Sequence, residues 1–306
     1  MSIRPGDAIP PASDDSQSAV MVTLEPKPRD LGDNFMVRRA LPAAEKRMVG
    51  PFIFWDEFGP ARFEAGKGLD VRPHPHINLA TVTYLFEGEI FHRDTLGSAQ
   101  AISPGDVNWM NAGRGIAHSE RTREELRAGG SPIAGIQSWV ALPEAHEESA
   151  PFFKHHAQGE LPTLEEDGKR ARVIAGSLWG KRSPVETHSE MFYADVQLDA
   201  GAALPLDAEY EERGLYLTQG EIEIAGDRFA RGRLLVFRPG DAITIKALAP
   251  ARFMLLGGAN LGPRHIWWNF VSSRKERIEQ AKQDWKAGRF GTVSGDEKEY
   301  IPLPEQ

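Results

Sequence analysis

Two short histidine patterns carry the chemistry that this sequence offers. His74-Pro75-His76 puts two imidazoles at positions i and i+2, and His118-Ser119-Glu120 puts an imidazole and a carboxylate at the same spacing. Side chains two apart on a β-strand share a face, so each pair projects to one side. Two such pairs on facing strands surround one point with three neutral imidazoles and a carboxylate. That ligand set, His74, His76, His118 and Glu120, suits Fe(II), Mn(II), Ni(II), Cu(II) or Zn(II). It leaves coordination positions open on a five- or six-coordinate metal, which is the condition for metal catalysis. Glu120 is the one obvious candidate base beside such a metal, and it doubles as a ligand.

The elements that must position these residues read as β. Short apolar runs at 80–86, 89–91, 107–110 and 136–141 are separated by Gly, Pro, Asp and Asn. That is the spacing of an antiparallel sandwich or barrel. A second β-rich block runs from 171 to about 258, and the blocks repeat one another. Tyr84-Leu85-Phe86-Glu87-Gly88-Glu89-Ile90 matches Tyr216-Leu217-Thr218-Gln219-Gly220-Glu221-Ile222 at an offset of 132. Pro104-Gly105-Asp106, a turn sequence, matches Pro239-Gly240-Asp241 at an offset of 135. At those offsets His74 and His76 fall on Leu206 and Ala208, and His118 and Glu120 fall on Phe253 and Leu255. One copy is therefore expected to hold a metal, and the other to keep only a core.

Composition bounds the remaining choices. The 306-residue chain has 36 Lys and Arg against 44 Asp and Glu, a net charge of −8. Phosphate-backbone binding relies on clustered Lys and Arg, so direct nucleic-acid contact is not expected. The clearest basic cluster, Arg274, Lys275 and Arg277, is diluted by Glu276 and Glu279 and reads as a solvated helix face. The absence of cysteine excludes disulfides, thiolate metal sites and Cys nucleophiles. It fits a reducing compartment, and a cytoplasmic location is expected. No run reaches the roughly 18 apolar residues of a membrane-spanning helix. Residues 1–20 lack an apolar h-region and read as no secretory signal. Ser272 or Ser273 is placed to cap a helix carrying Ile278, Ala281 and Trp285 on one face, with Gly288 as its stop. His92 is expected to be merely exposed, with a place at a barrel mouth as the alternative, and His265 to pack. No role is assigned to His146, His155, His156 or His188.

A longer string of residues resembles the pirin family. It comprises His74-Pro75-His76, Thr81-Val82-Thr83-Tyr84-Leu85-Phe86-Glu87-Gly88 and Pro104-Gly105-Asp106. It continues through Trp109-Met110-Asn111-Ala112-Gly113-Arg114-Gly115-Ile116-Ala117-His118-Ser119-Glu120. Val49-Gly50-Pro51-Phe52 and Asp56-Glu57-Phe58-Gly59-Pro60 also look like the pirin N-terminal signature. The resemblance implies an all-β bicupin: two antiparallel β-barrel domains of the cupin superfamily packed together, with a short C-terminal helix. The expected divisions are a flexible arm (1–24), a metal-binding cupin (25–142), a linker (143–170), a cupin without ligands (171–270) and a helix with a tail (271–306). The resemblance also implies one divalent metal, Fe(II) first, held by His74, His76, His118 and Glu120.

The pattern departs after the first histidine pair. Pirins commonly read His-Arg-Gly-Phe-Glu there, and this chain reads His76-Ile77-Asn78-Leu79-Ala80. The metal site should survive, with the pocket's polarity and proton-transfer options changed. Leu79, Phe91, Trp109 and Met110 are candidate pocket walls, each weighed against an ordinary place in the core. Some pirins resemble quercetin 2,3-dioxygenase in activity. That implies a flavonol bound through its 3-hydroxyl and opened by dioxygen with release of carbon monoxide. Others resemble redox-sensing regulators acting through protein partners. The expectations are thus a dioxygenase on a small enolic aromatic substrate, a metal-holding regulator, or a zinc site without turnover, in a monomer.

Overall fold

The computed structural model describes residues 18–30 and 35–305. Among these residues strands dominate, and the α-helices are Glu124–Gly129 and Lys275–Lys286. The first barrel opposes a seven-stranded sheet to a four-stranded one. The large sheet runs Phe152–His156, Val107–Asn111, Leu79–Gly88, Pro132–Ala141, Phe52–Arg62, Met36–Leu41, Pro28–Asp30. The small sheet runs Asp70–His76, Ile116–Arg121, Ile90–Asp94, Ala99–Ile102. The second barrel repeats this order. Its large sheet runs Val20–Leu24, Arg233–Phe237, Glu212–Gln219, Ala251–Gly258, Met191–Leu198, Lys169–Leu178, Thr163–Glu166. Its small sheet runs Ala203–Leu206, Ile243–Ala247, Glu221–Ile224, Asp227–Ala230. These are two cupin-type antiparallel barrels with a short C-terminal helix.

The register corrects the second half of the repeat. Pro104-Gly105-Asp106 precedes Val107–Asn111, whereas Pro239-Gly240-Asp241 follows Arg233–Phe237, the equivalent strand. The two turns therefore sit at different places in the fold. The counterpart of Ile116–Arg121 is Ile243–Ala247 and not Ala251–Gly258. Glu120 pairs with His92 and His118 with Asp94, while Ile245 pairs with Ile224. His118 also faces His74, and Ile243 faces Leu206. His118 and Glu120 thus correspond to Ile243 and Ile245, in place of Phe253 and Leu255, and Leu206 stands for His74 as expected. The consequence is the same: Leu206, Ile224, Ile243 and Ile245 all lie in one continuous apolar core.

Alternation along Leu79–Gly88 sends residues two ways. Ala80, Val82 and Tyr84 join the core between the barrels, together with Trp55, Tyr193, Tyr216 and Met254. Two reciprocal hydrogen bonds cross this interface. The Tyr84 hydroxyl donates to Asp195 Oδ2 at 2.9 Å, and the Tyr216 hydroxyl to Glu57 Oε2 at 2.9 Å. Burial raises Glu57 above the usual carboxylate range, against the pull of Tyr216 and Arg38.

Two further expectations are revised. Residues 1–17 of the expected arm lie outside the described residues, but Val20–Leu24 is a strand paired with Arg233–Phe237 of the far barrel. The helix Lys275–Lys286 buries Ile278 and Ala281 beside Trp285, yet neither Ser272 nor Ser273 caps it. Both hydroxyls donate instead to Glu147 Oε2, at 3.1 and 3.0 Å. The buried Glu147 takes these donors because Arg264 alone, at 3.2 Å, leaves most of its lone pairs unfilled.

Tyr216→Phe leaves the buried Glu57 with the 3.4 Å Arg38 contact and should cost about 1–3 kcal/mol. Urea unfolding checks this, and an unchanged midpoint would mean that the crossing bond adds nothing.

Candidate metal centre

Asp70–His76 is an edge strand of its sheet. Proline cannot donate to a β-ladder and is confined to edges, so His-Pro-His with Pro73 before it fits here. The inner neighbour Ile116–Arg121 brings His118 opposite His74. The ladder slips between His118 and Glu120. Both strands point His74, His76, His118 and Glu120 into the barrel, where all four are buried. The chain before His118 is fixed by Gly113, at φ +47°, where a Cβ would lie 2.1 Å from Ser149 O. Asn78 has φ 58°, a left-handed conformation that asparagine tolerates.

Three imidazoles converge. One ring nitrogen from each of His74, His76 and His118 lies within 4.8 Å of the others, and this is the metal-compatible group found among the described residues. The opposite ring nitrogens are occupied. His74 Nδ1 faces Arg72 O at 2.9 Å and His76 Nδ1 faces Asn269 O at 3.1 Å. A nitrogen facing a carbonyl must carry the proton, so each Nε2 keeps its lone pair for a metal. His118 Nε2 is buried without a hydrogen-bond partner, an arrangement that costs stability unless something binds there. Burial lowers His74 to about 3 and puts His76 and His118 well below the usual imidazole range. All three are therefore neutral near pH 7, as ligands must be. The donor set fits a divalent metal.

Glu120 lies outside that close triad but lines the same cavity, which measures about 20 Å³. Its Oε1 accepts from Thr83 Oγ at 3.2 Å, and Gln137 stands 3.0 Å from the same hydroxyl. Burial raises Glu120 above the usual carboxylate range.

None of the four residues weighed as walls lines the cavity. Phe54, Val71, Gln137 and Trp139 line the cavity. Trp109 and Met110 are buried in apolar clusters elsewhere, Leu79 packs in the same cluster as Phe54 and Trp139 without lining the cavity, and Phe91 lies beneath Arg93 and Arg123. Phe54 and Trp139 stack at 4.1 Å, and Trp139 meets the His76 ring edge-on at 5.2 Å. Arg39 covers Phe54 while its guanidinium grips the buried Asp56 at 2.9 and 2.8 Å. Ala80 turns toward the inter-barrel core, so the acid that the pirin resemblance sets at this position would face that interface and not the cavity.

His92 is also misplaced by the sequence reading. It is buried, not exposed, with Nε2 at 2.9 Å from Asp94 Oδ2 and Nδ1 at 3.3 Å from His118 Nδ1. The sequence offers only that Glu89–Phe91 reads as a strand; the register that sets His92 opposite Glu120 comes from the fold. Asn269 had no such signal, because its carbonyl reaches His76 from 193 residues away.

Fold and site together define a two-barrel cupin with a three-histidine cluster in the first barrel that fits a metal site. The pirin family model matches residues 34–140, and the pirin C-terminal cupin domain matches 193–291. The chain belongs to the pirin family. It is 51% identical to a pirin-like protein of Caulobacter vibrioides, over 93% of this chain and 99% of that one. A Pseudomonas aeruginosa protein, whose name proposes a quercetin 2,3-dioxygenase, is 38% identical over 90% and 87% of the two chains. The crystal structure of quercetin 2,3-dioxygenase from Acinetobacter baumannii superposes with a TM-score of 0.85 at 32% identity, covering 93% and 95% of the chains.

Unfolded histidines titrate near 6.5 and these native ones far lower, so below about pH 6.5 the unfolded state binds protons that the native state refuses. The chelator-stripped protein should lose stability steadily as pH falls from about 6.5 toward 3. Urea midpoints across that range check the sign, and a flat profile would contradict the buried neutral rings.

Proposed function

We propose that this chain is a mononuclear metal dioxygenase, with iron the expected metal, acting on quercetin-like or other enolic aromatic compounds. The carrying observation is the convergence of three neutral imidazoles, one with an orphaned Nε2, beside a buried carboxylate. His74, His76 and His118 would hold the metal, with Glu120 as fourth ligand. The bound metal supplies a Lewis acid for the substrate's enolate oxygen and the redox partner for dioxygen. Glu120 takes the substrate's hydroxyl proton. Its place on the same cavity as the three imidazoles suits that task, and Thr83 orients the carboxylate through Oε1. Phe54, Val71 and Trp139 exclude water from the reacting atoms.

Size sets a condition on this chemistry. A cavity of about 20 Å³ holds roughly one water, whereas pockets for drug-sized ligands measure roughly 300–1,000 Å³. A flavonol must therefore displace part of the wall. Val71 is only half-buried and belongs to the edge strand, so it is the wall member that moves at least cost. The closed cavity also favours a second reading, a metal-holding redox sensor that acts through protein partners and admits no large substrate.

Metal content measured with oxygen uptake on quercetin separates the readings. Near-stoichiometric iron with substrate-dependent uptake supports the dioxygenase, and metal without uptake supports the sensor. His118→Ala should abolish both metal and uptake, and metal-dependent uptake that persisted in it would overturn the site. Val71→Ala should lower the KM for quercetin severalfold while leaving metal content unchanged.

A further inference from the structure

We propose that His92, anchored by Asp94, is a positioning residue that fixes the His118 ring and thereby sets the affinity and electronic character of the bound metal. The proposal rests on the metal-centre reading, not on the oxygenase reading.

The geometry runs in one direction. Asp94 Oδ1 accepts from the backbone N–H of Leu96 and Ser98, at 2.9 and 3.0 Å, which locks the carboxylate in its turn. Its Oδ2 accepts from His92 Nε2–H at 2.9 Å. A neutral imidazole carries one N–H, so His92 Nδ1 is left as an acceptor. It faces His118 Nδ1 at 3.3 Å, which must then be the protonated nitrogen of that ring. His118 Nε2, on the far side of the ring, is the atom left without a partner. The three ligands thus use two kinds of support. His74 and His76 donate to fixed backbone carbonyls, while His118 alone leans on a side-chain chain that ends in a carboxylate. Such carboxylate–histidine supports raise the basicity of a ligand and fix its orientation. Because His92 bonds to the nitrogen opposite the metal position, it is not itself a ligand.

The internal repeat argues for the same role. At the equivalent places of the second barrel His92 becomes Ile224 and Asp94 becomes Gly226, alongside Ile243 for His118 and Ile245 for Glu120. The barrel that lacks the ligands also lacks their support. Burying a histidine–carboxylate pair is a poor way to stabilise a core that apolar residues fill as well, and the second barrel shows that isoleucine fills it. Packing is the competing account, since His92 also stacks on Phe153 at 4.3 Å.

Cobalt(II) titration of the stripped full-length protein, followed by its visible ligand-field bands, separates the two. His92→Phe keeps a ring on Phe153 but offers no acceptor. It should weaken Co(II) binding about 10–100-fold and shift the bands. His92→Gln, whose amide oxygen can accept from His118 Nδ1, should recover part of both. Wild-type affinity and bands in His92→Phe would overturn the proposal. Should that variant fail to fold, Asp94→Asn decides: it keeps the turn's acceptor and removes the charge. An unshifted spectrum there overturns the proposal, and a shifted one supports it. Wild-type protein that takes up no Co(II) would sink the metal centre along with the proposal, so the two failures are distinct.

Discussion

The controlling constraint is the burial of three imidazoles in the interior of a β-barrel. A buried ring is stable only if neutral, and a neutral ring presents one donor that must be satisfied. Each Nδ1 of the triad has its own counterpart: Arg72 O, Asn269 O and His92. The remaining nitrogens turn to a common point, and His118 Nε2 is left with nothing but that point to serve. Fold stability and metal readiness are two consequences of the same arrangement.

The contrast between the barrels shows what this arrangement costs. The interior of the ligand-free barrel is one apolar cluster, from Val20 and Leu206 through Ile224 to Ile245 and Leu255. The interior of the first is broken into separate groups around Phe58 and Leu85, around Phe54 and Trp139, and around Met110 and Ile116. Polar side chains occupy the space between them. At the interface, by contrast, both large sheets contribute to a single core, with two tyrosine–carboxylate bonds across it. The strand Val20–Leu24, which precedes the first barrel in the chain, pairs within the second and ties the pair together.

The C-terminal segment belongs to the site rather than being an appendage. The turn before Phe270 supplies the carbonyl that orients His76, and Phe270 bridges to Ile77. The backbone N–H of Ile301 donates to Pro73 O at 2.8 Å, so the tail covers the edge strand whose prolines already blunt it. Trp285 holds the tail from within by donating to Ile301 O at 3.0 Å. Residues far beyond both barrels thus keep the first ligand strand in register.

Much of this was local and therefore legible. The i, i+2 spacing of His74 with His76 and of His118 with Glu120 assigns shared faces, because the pleat has a period of two. Gly-Glu-Ile after an apolar strand revealed the repeat, since a hairpin writes its turn into neighbouring residues. Ile278, Ala281 and Trp285 marked a buried helix face for the same reason. What the sequence could not supply was register between distant strands. The Pro-Gly-Asp turns looked equivalent but lie on opposite sides of one strand, which moved the counterparts of His118 and Glu120 from Phe253 and Leu255 to Ile243 and Ile245. His92 looked exposed because nothing adjacent to it shows that it sits opposite Glu120. The cavity walls, Phe54, Val71, Gln137 and Trp139, come from three strands, and no spacing within one strand announces them. Periodicity along the chain picked out the candidate ligands, whereas their support, the cavity size and the wall composition arise from contacts between segments that only the folded barrel brings together.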